Sequence, residues 1–185
     1  TYTGQLVYHG LINGGTQTVQ GINGDGSVIA VINYFGLLRV FQWNGSTYEL
    51  LFSNAEPPGQ FYNWYTSVDI TYDGNYFAAG TLNFTSSTTV DGKIKVFKKS
   101  SGGTPYWTYT GCGDEVSAVS FSRSGNILSA SSWGEFSNTT EDLYIFKTFL
   151  GNTPIFKVNS PGSMFWCSTS KDGRNVLTSG KAVHA

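Results

Sequence analysis

The sequence predicts an all-β chain made of one four-stranded unit repeated four times, and two observations carry that expectation. Glycine recurs at positions 26, 74, 125 and 173, at intervals of 48, 51 and 48 residues, preceded by Asp25, Asp73, Ser124 and Asp172. Each turn signal lies between two short runs, and in the clearest copies apolar residues alternate before it: Val68 with Ile70, and Val119 with Phe121. Alternation with a period of two places one face of a strand against a core. Two strands around a tight turn, recurring at this interval, form the signature of a β-propeller blade.

The elements follow in order. First strands are expected at 18–22, 66–70, 117–121 and 166–170, although Gln20 and Thr169 stand at apolar-register positions of the first and fourth copies. The Asp-Gly turns are expected to supply the positive backbone angles of tight hairpins, which explains those aspartates without acid chemistry. Second strands follow at 28–32, 76–79, 127–130 and 176–177, rich in β-branched, aromatic or small residues. Third strands are read at 37–41, 93–97, 142–146 and 181–185. Three of them end in a branched residue followed by Phe41, Phe97 or Phe146, which are expected to be buried between blades because single repeats cannot bury such faces alone. A fourth, outer strand is read at 48–52, 106–109 and 155–158, with 5–8 as its counterpart at the amino end.

This order, with runs such as Val116-Ser117-Ala118-Val119-Ser120-Phe121-Ser122-Arg123-Ser124-Gly125, resembles WD-repeat propellers and the related quinoprotein-like propellers over nearly the whole chain. The Gly-His and Trp-Asp dipeptides of WD repeats are absent, so the resemblance is to a divergent propeller. The repeats run over about 5–41, 48–97, 105–146 and 153–185 as one propeller domain or propeller fragment. Propellers commonly have four to eight blades. The four units are therefore expected either to close as a four-bladed ring, with 5–8 beside 181–185, or to form part of a larger ring.

Eleven basic and twelve acidic side chains leave a formal charge of −1, which offers no electrostatic footprint for nucleic acid or an anionic membrane. Charged residues make up 12% of the chain, about half the usual share. Ser, Thr, Asn and Gly take their place, a composition of secreted and cell-surface β-proteins. Three acceptor sequons, beginning at Asn44, Asn83 and Asn138, fall in expected loops and point to the same extracellular setting. Cys112 and Cys167 are 55 residues apart and form no metal motif; a bridge between neighbouring blades and a pair of core thiols are both open readings. No run approaches the ~18 apolar residues of a membrane helix.

No catalytic constellation emerges and no cofactor is expected. His9 and His184 lack a sequence-local carboxylate or thiolate that would complete a metal site. Asp114 and Glu115, with Glu135, Glu141 and Asp142, read as a solvated rim, with a calcium site as the alternative. Lys93, Lys95, Lys98 and Lys99 read as the polar face of a strand. The loops opposite the Asp-Gly turns collect aromatic residues, and Tyr34, Trp64, Phe84, Trp133 and Phe136 are the candidate binding residues. The expected function is a non-enzymatic extracellular or cell-surface scaffold for protein binding or self-assembly. A carbohydrate-binding module and a subunit of a quinoprotein-like enzyme are the alternatives.

Overall fold

In the computed structural model the described residues are 17–57 and 63–183. The expected outer strand at 5–8 and both histidines lie outside them. Four antiparallel sheets follow one another along the chain. Blade 1 holds β1 (Gln17–Ile22), β2 (Val28–Asn33), β3 (Leu37–Trp43) and β4 (Tyr48–Ala55) in that order. Blade 2 holds β5 (Asn63–Ile70), β6 (Tyr76–Phe84), β8 (Lys93–Lys98) and β9 (Pro105–Thr110), with the short β7 (Val90–Asp91) pairing on the end of β6. Blade 3 is β10 (Ala118–Phe121), β11 (Ile127–Ser131), β12 (Leu143–Lys147) and β13 (Phe156–Val158). Blade 4 contributes β14 (Met164–Thr169) and β15 (Val176–Gly180). The fold is an all-β propeller, and the second, third and fourth sequence repeats open with the outer strand of the preceding blade.

The third strand expected at 181–185 is not formed among the described residues. Lys181 N donates to Ser163 O and Ser163 N donates to Val183 O, so residues 181–183 continue beside the start of β14.

The turns are equivalent in detail. Gly26, Gly74, Gly125 and Gly173 have φ of 75°, 71°, 73° and 74°, and each amide donates to the carbonyl three residues back. The preceding residue does not share the positive φ that the Asp-Gly reading expected of it. Its side chain instead accepts an amide hydrogen bond two residues ahead: Asp25 from Ser27, Asp73 from Asn75 and Asp172 from Arg174. Three residues before each glycine, Asn23, Thr71, Ser122 and Ser170 accept the amide that opens the next strand. Each turn thus satisfies its own polar backbone, which fixes the strand register on either side.

The cores lie between blades. Val28, Ile32, Val40 and Phe52 of blade 1 pack on Val68, Ile70, Phe77 and Phe97 of blade 2. Ile94, Val96 and Trp107 of blade 2 pack on Val119, Phe121, Leu128 and Phe146 of blade 3. Ala118 and Leu143 of blade 3 pack on Cys167 of blade 4. Phe41, Phe97 and Phe146 are all buried, as their repeated position requires. Cys112 and Cys167 sit in different clusters as free buried thiols, so the bridge between them is not formed and the core reading holds. Burial raises the pKa of both.

Candidate functional site

On the face opposite the turns, three of the five candidate rings come together. Tyr34 stands in the turn between β2 and β3, Trp64 near the start of β5, and Phe84 at the end of β6. The Tyr34 and Trp64 centroids are 5.3 Å apart with planes tilted by 55°, and Trp64 meets Phe84 edge-on at 6.0 Å. Tyr34 and its neighbour Phe35 are exposed, whereas Trp64 and Phe84 are half-buried. The row therefore presents its tyrosine end to solvent and roots its other end in the junction between blades 1 and 2. Trp133 and Phe136 do not extend it. Trp133 packs on Phe165 of blade 4 at 5.3 Å, and Phe136 stands 84% exposed on its own loop.

A buried polar network lies under the row. Glu56, in the connection after β4, is buried with its carboxylate paired to Lys95 of β8 and accepting from Asn83 Nδ2 at 2.9 Å. Lys93 Nζ is 3.9 Å away, and the Lys95 ammonium lies 5.6 Å from the centre of the Tyr65 ring. The Tyr65 hydroxyl donates to Asn54, and burial first, then the charge of Glu56, drives its acidity far below the ordinary phenol. Two backbone amides fix the same corner: Glu56 N donates to Gly36 O at 2.7 Å, and Phe84 N donates to the Asn63 side-chain Oδ1 at 3.2 Å. At Gly36, with φ of 71°, a Cβ would stand 2.5 Å from Asn63 O, so only glycine allows this approach.

This network corrects two sequence readings. Lys95 is not on a solvated strand face: it is buried and paired. Asn83 is not an open acceptor for a glycan, since it is 4% exposed and its amide nitrogen is committed to Glu56. The other two sequons are exposed. Asn44 lies on the turn face between β3 and β4, and Asn138 lies on the loop after β11 with φ of 54°. Sequence reasoning missed Glu56 because its partners come from another blade, about 27 and 39 residues onward.

The acidic residues on this side do not converge. Asp142 is buried and accepts from the Ser160 amide at 3.0 and 3.1 Å, while Glu141 pairs with Lys157 at 2.5 Å. Asp114 and Glu115 are half-buried and both have raised pKa values, from burial first. Among the described residues no three His, Cys, Asp or Glu side chains are grouped to hold a metal ion, and no helix is long and apolar enough to cross a membrane. What the site offers is a row of tilted aromatic rings, Tyr34, Trp64 and Phe84, beside a buried ion pair.

No family model and no curated protein sequence matches this chain. Among solved structures it is similar to the crystal structure of the C-terminal WD40 domain of Sif2, with a TM-score of 0.59 and 13% identity. The match covers 78% of this chain and 37% of that one. At this identity the likeness is one of fold alone, that of a β-propeller.

Proposed function

We propose that this chain is a non-enzymatic scaffold that binds a protein partner through the loop face over blades 1 and 2, in an extracellular or cell-surface setting. The observation that carries this reading is the row Tyr34, Trp64 and Phe84, half exposed on top and rooted in a buried ion pair below. Rigid aromatic rings lose little conformational entropy on binding and concentrate affinity at protein interfaces. Irregular loops on a rigid scaffold are where binding residues collect. With Asn83 buried, a glycan does not crowd Phe84. Glycans carried at the two exposed sequons would stand on the turn face at Asn44 and near Phe136 at Asn138, and this supports the blade 1 and 2 side for a partner. The low charge and sequon content support the extracellular setting.

The test is affinity capture from cell-surface extracts with the chain and with a Tyr34→Ala/Phe35→Ala variant, both residues being exposed so that the fold is retained by circular dichroism. A partner held through this row loses about 2 kcal/mol on truncation, roughly 30-fold in Kd. Undiminished capture by the variant refutes the site. Saccharide binding on a glycan array that disappears with the same substitution replaces the protein partner with a carbohydrate.

A further inference from the structure

Blade 2 carries, on the turn face, a combination of side chains that its neighbours lack. At the start of each second strand one residue pairs across to the residue that follows the third-strand phenylalanine. In blade 1 the pair is Val28 with Gln42, and in blade 3 Ile127 with Lys147, whereas in blade 2 it is Tyr76 with Lys98. The outer strand adds a second ring. Val96 pairs with Trp107 and Phe97 with Pro105, so a β-bulge leaves Tyr106 unpaired between them and re-aims its side chain. The Lys98 ammonium lies over this ring, 3.6 Å from the Tyr106 centroid and 5.7 Å from that of Tyr76. At these distances the negative ring faces attract the cation.

Blade 3 supplies a third ring. Its 3-10 turn Thr148–Leu150 is tied to blade 2 where Trp107 Nε1 donates to Thr148 O at 2.8 Å, and Phe149 meets Tyr76 at 4.8 Å. Tyr106 and Phe149 remain 39% and 41% exposed. Beside them the 3-10 turn Lys99–Ser101 borders a cleft of about 470 Å³ lined by Asn75, Tyr76, Lys98, Lys99 and Ser100. Lys99 N donates to Asn75 O at 2.9 Å and fixes the turn in place. Both lysines are half-buried, and among the described residues neither pairs with a carboxylate. Asp73, the acid of the adjoining turn, accepts instead from Thr71 and Asn75. An ammonium has three donors and no acceptor, so the cleft brings two cations with donors to offer beside exposed rings.

We propose that this cleft binds an acidic saccharide, a pyranose whose apolar face lies on the exposed rings while its sulfate or carboxylate meets Lys98 and Lys99. A ring with an apolar body and a polar surround suits the apolar face and hydroxyl edge of a sugar. The two unpaired ammonium groups select an anionic sugar over a neutral one. They are compact charges with rotatable donors, in contrast to the planar arginine fork that matches phosphate bidentately. Asn75 and Ser100 add an amide and a hydroxyl of the kind that hydrogen-bonds sugar hydroxyls. The cleft lies on the opposite face from Tyr34, Trp64 and Phe84, so it stands or falls independently of the partner surface proposed there.

Calorimetric titration at physiological ionic strength tests the cleft and separates the sources of the charge. The probes are hexasaccharides of chondroitin sulfate, which carries sulfate and uronate, of hyaluronan, which carries uronate alone, and of chitin, which is neutral. The chain is expected to bind an acidic probe and to bind the chitin hexasaccharide at least about tenfold more weakly, the value of one charge-assisted hydrogen bond. Binding of both acidic probes assigns the contact to the carboxylate, and binding of chondroitin sulfate alone assigns it to the sulfate. Lys98→Met and, in the turn beside it, Lys99→Met keep most of the side-chain volume and remove one charge each. Each is expected to weaken the acidic probe about tenfold with circular dichroism unchanged, and Tyr106→Ala to weaken it as well, whereas Tyr34→Ala/Phe35→Ala leaves the affinity as it was. The proposal is overturned if no acidic hexasaccharide binds, if the chitin hexasaccharide binds as tightly, or if the lysine and Tyr106 variants leave the affinity unmoved. A glutamate hexapeptide that binds as tightly as the acidic saccharides also overturns it and makes the cleft a site for acidic peptide segments.

Discussion

The buried pair of Glu56 and Lys95 gives the sharpest test of how the loop face is held. Replacing Lys95 by Met keeps most of the side-chain volume and removes the ammonium. The Glu56 carboxylate then keeps the hydrogen bond from Asn83 at 2.9 Å, the neighbouring Tyr65 hydroxyl and a more distant cation, Lys93 at 3.9 Å. Breaking a buried pair by removing one partner costs about 3 to 5 kcal/mol, because the remaining charge is uncompensated. The Lys93 side chain is about a third exposed, so it returns no more than the ~1 kcal/mol of a surface ion pair. The expected loss is therefore about 2 to 4 kcal/mol, read as a shift of the urea midpoint at constant slope. Removing the charge from both sides, with Glu56→Gln/Lys95→Met, is expected to cost less than Lys95→Met alone, since a neutral amide still accepts from Asn83. A Lys95→Met loss below about 1 kcal/mol, or two single losses that simply add in the double variant, refutes the view that the pair acts as a buried unit.

Three further outcomes are expected. Phe97→Ala, at a fully buried ring against Phe52, costs about 3 to 5 kcal/mol in the same titration, whereas a loss below about 1 kcal/mol shows that the shared position of the third-strand phenylalanines carries no packing. Peptide mass spectrometry of native material finds glycan at Asn44 and Asn138 and none at Asn83; occupancy at Asn83 contradicts its burial, and bare Asn44 and Asn138 remove the glycoprotein reading. Burial raises the Asp69 pKa above its ordinary 3.8, against the opposing amides of Phe121 and Ile70. The folded state thus binds its proton more tightly than the unfolded state does, and that stabilisation is lost as pH rises from 3.8 through the raised value. The stability of Asp69→Asn relative to the wild type accordingly improves across that window, and a pH-independent difference refutes the burial argument.

The fold was legible because its signals are local. A turn glycine at a near-constant interval and a branched residue before phenylalanine both act within a few residues. The strands at 66–70 and 117–121 accordingly form where the alternation puts them, in β5 and β10. The turns show the limit of local reasoning at finer grain. Asp-Gly reads equally as two residues with positive φ or as one such glycine with an aspartate that accepts an amide, and only backbone geometry separates them. Blade 4 shows another limit: Lys181 to Val183 read as a third strand from their register, but their hydrogen bonds run to Ser163.

The site was less legible, since its chemistry depends on contacts between blades. Lys95 sits in an alternating strand beside Lys93, and the sequence distinguishes neither as buried. The blade 3 counterpart, two residues before Phe146, is Tyr144, a buried ring whose hydroxyl donates to Glu141 O. One junction fills the space with an aromatic ring and the other with an ion pair that needs Glu56 and Asn83 around it. Burying charge costs several kcal/mol per ion unless the surrounding hydrogen bonds recover it, so such a pair is a poor way merely to fill a core. Its value is directional: it fixes the connection after β4, and with it the Gly36 backbone and the Asn63 side chain that set Tyr34 and Phe84 on either side of Trp64. The departure from the repeat in the core and the departure on the surface therefore occur at one junction, and this is why the loop face over blades 1 and 2 is the surface to test for a protein partner.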